Sequence, residues 1–137
     1  MIYLDSAALV KLVRQESESP ALVSWLNAQP DQRLVASVLV EVEVPRALRR
    51  SQPGVLGAVA ATLARIDRIE LDAAIRATAA AYVDPRLRSL DAIHLATADQ
   101  LVASGKNVTA FITYDTRLAD AARASALTVV TPGTPAH

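Results

Sequence analysis

Apolar positions in this chain fall into short β-branched runs separated by longer stretches in which Ala, Leu and Val recur at helical spacing. The short runs predict strands at residues 2 to 4, 34 to 36, 67 to 71, 109 to 112 and 128 to 130. Strands alternating with helices are the pattern of βαβ units, so the expected fold is α/β, with a mainly parallel central sheet of about five strands flanked by helices.

Polar punctuation sets the expected helix limits. Asp5 closes the run Ile2-Tyr3-Leu4 and opens a helix from Ser6, and Ser19-Pro20 supplies a cap and a first-turn proline for the helix carrying Leu22, Val23, Trp25 and Leu26. Ser37 is placed to cap the helix that bears Glu41 and Glu43, but Pro45 cannot donate to the Glu41 carbonyl. A kink or a late start is expected there. Pro53-Gly54 precedes a helix expected over 55 to 65, and Asp72 caps another over 73 to 81. Leu90 to Ser104 is the longest clean helical run, with Gly105 positioned to close it. The Pro- and Gly-rich tail has little to pack, so the expectation is one domain over 1–131 and a frayed tail over 132–137.

Composition narrows the function classes. Lys plus Arg and Asp plus Glu number 14 each, so no overall field draws the chain to nucleic acid or an anionic membrane. Any polyanion has to be held by a local patch. With no cysteine, disulfides and thiol catalysis are excluded, in keeping with a cytoplasmic setting. The apolar stretch Val55 to Ala64 contains Gly57 and Thr62 and falls short of the ~20 residues that span a bilayer, so no membrane association is expected.

The candidate chemistry lies in four acids. Asp5 and Asp115 follow strands, Asp91 falls in the first turn of the helix starting near Ser89, and Glu43 sits on the helix after Ser37. Strand carboxyl ends line the ligand crevices of open parallel sheets, and converging carboxylates need a hard divalent cation among them, Mg²⁺ or Mn²⁺. Each Asp also has an ordinary role as a helix cap or first-turn acid. Glu41 and Glu43 are about 200° apart on a helical wheel, so only one can face the site, and the wheel does not choose between them. Asp99 lies about 12 Å along the helix from Asp91 and is read as solvated. His94, three residues after Asp91, is read as a partly buried packing residue.

The segments Tyr3-Leu4-Asp5-Ser6-Ala7, Glu43-Val44-Pro45-Arg46-Ala47-Leu48, Leu90-Asp91-Ala92-Ile93-His94-Leu95-Ala96 and Thr113-Tyr114-Asp115-Thr116-Arg117-Leu118 resemble PIN-domain ribonucleases of the VapC toxin type. The resemblance runs through nearly the whole chain in order and spacing. In that family the second acid precedes a segment like Val44-Pro45-Arg46-Ala47-Leu48, which selects Glu43. It implies an Mg²⁺- or Mn²⁺-dependent endoribonuclease, the toxin of a toxin-antitoxin system, blocked by a cognate VapB-type antitoxin.

Phosphodiester hydrolysis by a carboxylate-held ion needs no side-chain nucleophile. Asp5 and Asp91 are the first-choice ligands, with Glu43 and Asp115 completing the set or holding a second ion. Ser6 and Thr113 are candidates to hydrogen-bond a ligand carboxylate. Arg46 and Arg117, then Lys11, Arg14 and Arg49, are the candidate RNA-phosphate contacts. Five aromatic residues leave little for base stacking, which favours contacts to RNA shape and backbone. A hydrophobic content of 52% leaves apolar surface for a homodimer face and an antitoxin groove. Two phosphotransfer frames are excluded on named residues: a dehalogenase-like phosphatase needs an Asp where this chain has Ala7. A receiver domain needs a lysine where it has Val129-Val130-Thr131-Pro132. The remaining alternative is a non-catalytic interaction module whose acids only cap helices.

Overall fold

The structure, a computed structural model, describes residues 1–134. Five strands form one sheet: β1 (Ile2–Leu4), β2 (Leu34–Ser37), β3 (Asp67–Ile69), β4 (Ala110–Ile112) and β5 (Val129–Val130). Their order is β3-β2-β1-β4-β5, and every pairing is parallel. Among the described residues seven α-helices connect and cover them: α1 (Ser6–Val13), α2 (Ser19–Asn27), α3 (Val40–Ser51), α4 (Val59–Leu63), α5 (Ala73–Ala81), α6 (Ser89–Ala103) and α7 (Thr116–Ala124).

Strand alternation splits the core in two. Ile2, Leu4, Ala36, Ala110 and Ile112 face a cluster built from α1 to α4, whereas Tyr3, Val35 and Phe111 face one with Leu95, Ala98, Leu118 and Ala122. Because both faces are covered, β1 and β4 read as unbroken apolar triplets in which every residue is buried. The edge strand β3 carries exposed Asp67 and Arg68, which discourages further pairing.

Three local expectations are corrected. The region expected to be one helix over 55 to 65 is a 3₁₀ turn at Pro53–Ala58 followed by the short α4, because Pro53, Gly54 and Gly57 weaken a regular start. Ser37 does not cap α3; its Oγ accepts the Leu39 N–H at 3.2 Å and closes the preceding turn. The helix starts late, at Val40, with Pro45 inside it. Beyond β5, residues 132 to 134 are docked rather than frayed: Tyr114 Oη donates to the Pro132 carbonyl at 2.8 Å. At Gly133 the backbone passes so close to Glu18 and Ala21 that an added Cβ would lie 3.1 Å from each, at φ +87°. The rest of the expected tail, 135–137, lies outside the described residues.

Phe111 stacks on Tyr3 with ring centroids 5.0 Å apart and planes 2° from parallel, both fully buried. Phe111→Ala should cost about 3–5 kcal/mol of stability, read as a lowered urea midpoint at unchanged slope. A loss under about 1 kcal/mol would show that this layer of the core can collapse around the gap.

Candidate active site

The parallel register decides where the acids go. Leu4 pairs with Ile112, so the next residues on each strand leave the sheet side by side, and the Asp5 N–H donates to the Ile112 carbonyl at 3.2 Å. Asp5 then caps α1 through Oδ1, which accepts the Ala8 N–H at 2.9 Å. Asp115 caps α7 in the same manner, its Oδ1 accepting from Arg117 N–H at 2.8 Å and Leu118 N–H at 3.2 Å. Thr113, fully buried, accepts the Asp115 N–H at 3.2 Å through Oγ1, and its hydroxyl favours the ionised form of the Asp5 carboxyl. Capping falls on one oxygen of each acid, so capping and ligation are not exclusive roles.

Asp91 and Glu43 cap nothing. Asp91 lies in the first turn of α6, whose N-cap is Arg88. Burial raises its carboxyl pKa, and the neighbouring charges of Asp115 and Glu43 push in the same direction, partly offset by His94 and Arg88. Asp5 is 4% exposed; burial raises its pKa first, Asp91 adds to the rise, and His94, Thr113 and the Ala8 amide oppose it. Asp91 thus feels Asp115 and Glu43 and is felt by Asp5, which makes it the electrostatic centre of the group.

The two glutamates of α3 face apart. Glu41 is exposed and pairs with Arg68 at 3.6 Å, whereas Glu43 turns inward, its Oε1 2.8 Å from His94 Nε2. That contact was missed by sequence reasoning. His94 is 1% exposed rather than partly buried, and its Nδ1 lies 2.7 Å from the hydroxyl of the fully buried Tyr3. The helical offset of three from Asp91 was the available signal, but the partner 51 residues away on α3 was not readable from it. Asp99 is also not freely solvated, since it accepts hydrogen bonds from Tyr82 Oη and, at 3.3 Å, from Ser125 Oγ.

The basic candidates separate into bound and available charges. Lys11 is buried, with its ammonium 3.2 Å from both Glu16 and Glu18 and 4.7 Å above the Tyr114 ring. Arg14 pairs with Glu16 at 3.3 Å and bonds Ser51, and Arg117 lies 4.0 Å from Asp115. Arg46 and Arg49 are exposed on α3, and Arg88, not anticipated from the sequence, stands beside Asp91. Ser6 and Glu43 share a cavity of about 220 Å³ with Arg14, and Thr113 and Asp115 line another of about 300 Å³ with Arg123.

As the side chains stand, no three His, Asp or Glu among the described residues converge closely enough to form a ready metal cage. The donor chemistry nevertheless fits a hard divalent ion: all four groups are carboxylates, one is buried, and the like charges around Asp91 are what a cation among them would offset.

A parallel α/β sheet carrying acids past the carboxyl ends of β1 and β4, with two more on helices, defines a class of acid-site α/β domains. Comparison with known proteins narrows it. The PIN-domain family model matches residues 2–124. Ribonuclease VapC35 of Mycobacterium tuberculosis is 56% identical over 133 residues, covering 97% of this chain and 98% of that protein. Ribonuclease VapC46 of the same organism is 39% identical over 131 residues, covering 96% and 97%. The chain belongs to the PIN-domain family, and within it to the VapC type. Among solved structures, FitAcB from Neisseria gonorrhoeae shares the fold with a TM-score of 0.67 at 20% identity, over 96% of this chain and 98% of that one. VapBC2 from Rickettsia felis, bound to a DNA fragment from its promoter, does so with a TM-score of 0.65 at 12% identity, over 96% and 99%.

The burial of Asp5 yields a signed pH prediction. A carboxyl raised above its ordinary 3.8 in the folded state binds more protons folded than unfolded, so its contribution to stability falls as pH rises above 3.8. Without divalent ions, Asp5→Asn, which keeps an acceptor for the Ala8 amide, should raise the melting temperature at pH 7. The gain should shrink to nothing near pH 3. Thermal scans across that range showing no gain at pH 7 would mean that the Asp5 charge is not costly to bury.

Proposed function

We propose that this chain is a metal-dependent endoribonuclease, the toxin of a toxin-antitoxin pair, which hydrolyses RNA phosphodiester bonds until a VapB-type antitoxin covers the site. The observation that carries this reading is the set of acids around Asp91, whose mutual repulsion has no structural benefit to the fold alone. The relatives named ribonuclease VapC35 and VapC46, aligned over nearly the whole chain, support the RNA substrate, and the fold shared with VapBC2 supports the antitoxin partner.

Asp5 and Asp91 would hold Mg²⁺ or Mn²⁺, with Glu43 and Asp115 completing the set or holding a second ion. Such an ion supplies charge stabilisation at the scissile phosphate and lowers the pKa of an attacking water. The protein's own contribution is to fix the oxygens. The Ala8 amide holds Asp5, the α7 amides hold Asp115, and His94 holds Glu43. Arg46, Arg49 and Arg88 are the exposed cations available for RNA phosphates, and Arg117 adds to them where it is not engaged with Asp115. Since burial raises the pKa of Asp5 and Asp91, protons compete with the cation and binding weakens as pH falls.

The exposed apolar side chains Val42, Val83 and Leu90 support contact with a protein partner, and the reading includes a homodimer acting in the cytoplasm. Among the described residues no helix is long and apolar enough to cross a membrane. A second reading, an interaction module with structural acids, has a specific observation in its favour, the caps made by Asp5 and Asp115. It leaves Glu43 and Asp91, which cap nothing, with only their first-turn positions on α3 and α6 to account for them.

The deciding assay is cleavage of mixed cellular RNA with Mg²⁺, Mn²⁺ or EDTA. Cleavage should require the ion, and Asp91→Asn should reduce it by about 100-fold or more while leaving the fold intact. Near-wild-type turnover by the folded variant would remove Asp91 from the site. Glu43→Gln should lose activity and Glu41→Gln should keep it; equal losses would mean that the inward turn of Glu43 has no catalytic consequence. Millimolar Mn²⁺ should raise the melting temperature of the wild type but not of the combined Asp5→Asn, Asp91→Asn and Asp115→Asn variant. Equal gains, or none in either, would favour the interaction module.

A further inference from the structure

We propose that His94 is a positioning residue for Glu43, holding its carboxylate in the acid crevice through a hydrogen-bond chain anchored in the sheet. The inference deepens the nuclease reading and rests on it for the metal-binding part of its test.

Glu43 is a long, flexible side chain only 20% exposed, and it lines the cavity shared with Ser6 and Arg14. Its one side-chain hydrogen bond among the described residues is to His94 Nε2, at 2.8 Å. On the far side of the ring, Nδ1 is 2.7 Å from Tyr3 Oη, and that oxygen also accepts the Ser37 N–H at 3.2 Å. The ring meets Tyr3 edge-on, with planes 76° apart, and Tyr3 is itself locked by stacking on Phe111. Both ring nitrogens are therefore engaged, and neither can turn away without breaking a buried bond.

The direction of the protons follows from the partners. An ionised carboxylate offers only acceptors, so Nε2 carries the hydrogen that bonds Glu43. Nδ1 faces the Tyr3 hydroxyl, which also accepts the Ser37 N–H, so the ring is held from its far side by a group tied to the sheet. The chain then runs from the Ser37 amide at the end of β2, through Tyr3 of β1 and His94 of α6, to Glu43 of α3. One helix thereby governs two acids: α6 carries Asp91 directly and orients Glu43 through His94. This is the relation by which outer groups orient metal ligands in general.

The test uses the full chain and four substitutions: His94→Leu, His94→Gln, Glu43→Gln and Tyr3→Phe. Mn²⁺ affinity by calorimetry should fall about 10- to 100-fold in His94→Leu and recover most of that in His94→Gln, which keeps a donor. Combined with Glu43→Gln, His94→Leu should cause no further loss, because its effect passes through the glutamate. Losses that multiply in the double variant, or an unchanged affinity in His94→Leu, would overturn the proposal. Should His94→Leu fail to fold, ¹⁵N spectra of the imidazoles decide the matter: the His94 proton belongs on Nε2, and that resonance should move in Glu43→Gln and in Tyr3→Phe. A proton on Nδ1 with none on Nε2, or an Nε2 signal unmoved by Glu43→Gln, would overturn it. A wild type that binds no Mn²⁺ would defeat the metal reading of the preceding section, and the positioning role would then be judged on the ¹⁵N result alone.

Discussion

The pairing of β1 with β4 is the constraint on which the rest of the molecule depends. It places the first strand at the centre of the sheet and brings residues more than a hundred positions apart in sequence into register, Leu4 against Ile112. Both strands are buried on both faces, so hydrophobic burial fixes which residues stay in the sheet and which residue leaves it first. Asp5 and Thr113 are the first to leave. A one-residue slip would turn Tyr3 and Phe111 toward the other cluster and separate Asp5 from Thr113, so core packing and site geometry are specified together.

That arrangement carries a standing electrostatic cost. Asp5 is nearly inaccessible, and burial works against the charged form of its carboxyl. The Ala8 amide and Thr113 return part of the lost hydration, and His94 offsets some of the negative potential. Asp91, half as deep and surrounded by other acids, has less help from hydrogen bonds and more repulsion. Strain of this kind is expected where function, rather than stability, sets the residue type.

The cations are distributed with the same logic. Lys11 and Arg14, close to the site in sequence, are committed to Glu16 and Glu18 at the join between α1 and α2, where they tie two helices together. Arg46, Arg49 and Arg88 remain exposed. Sequence proximity to an acid therefore says little about whether a basic side chain is free for a ligand, because the nearest opposite charge claims it first.

The sequence by itself determined the fold class, the parallel strand pattern and the acids at strand ends, because each is written in local periodicity and in the short-range rules of capping. The caps made by Asp5, Asp72 and Asp115 appear where those rules put them. Local rules erred where several weak signals competed, as in the broken helix after Pro53 and in the docked segment at Gly133, whose contact with Glu18 and Ala21 no nearby residue announces. Only the tertiary structure decided that Glu43 meets His94, that His94 meets Tyr3 and that Asp99 meets Tyr82. These bonds join residues 51, 91 and 17 apart in the chain, and a periodic pattern reports which face of an element is buried but not which side chain waits on the other side.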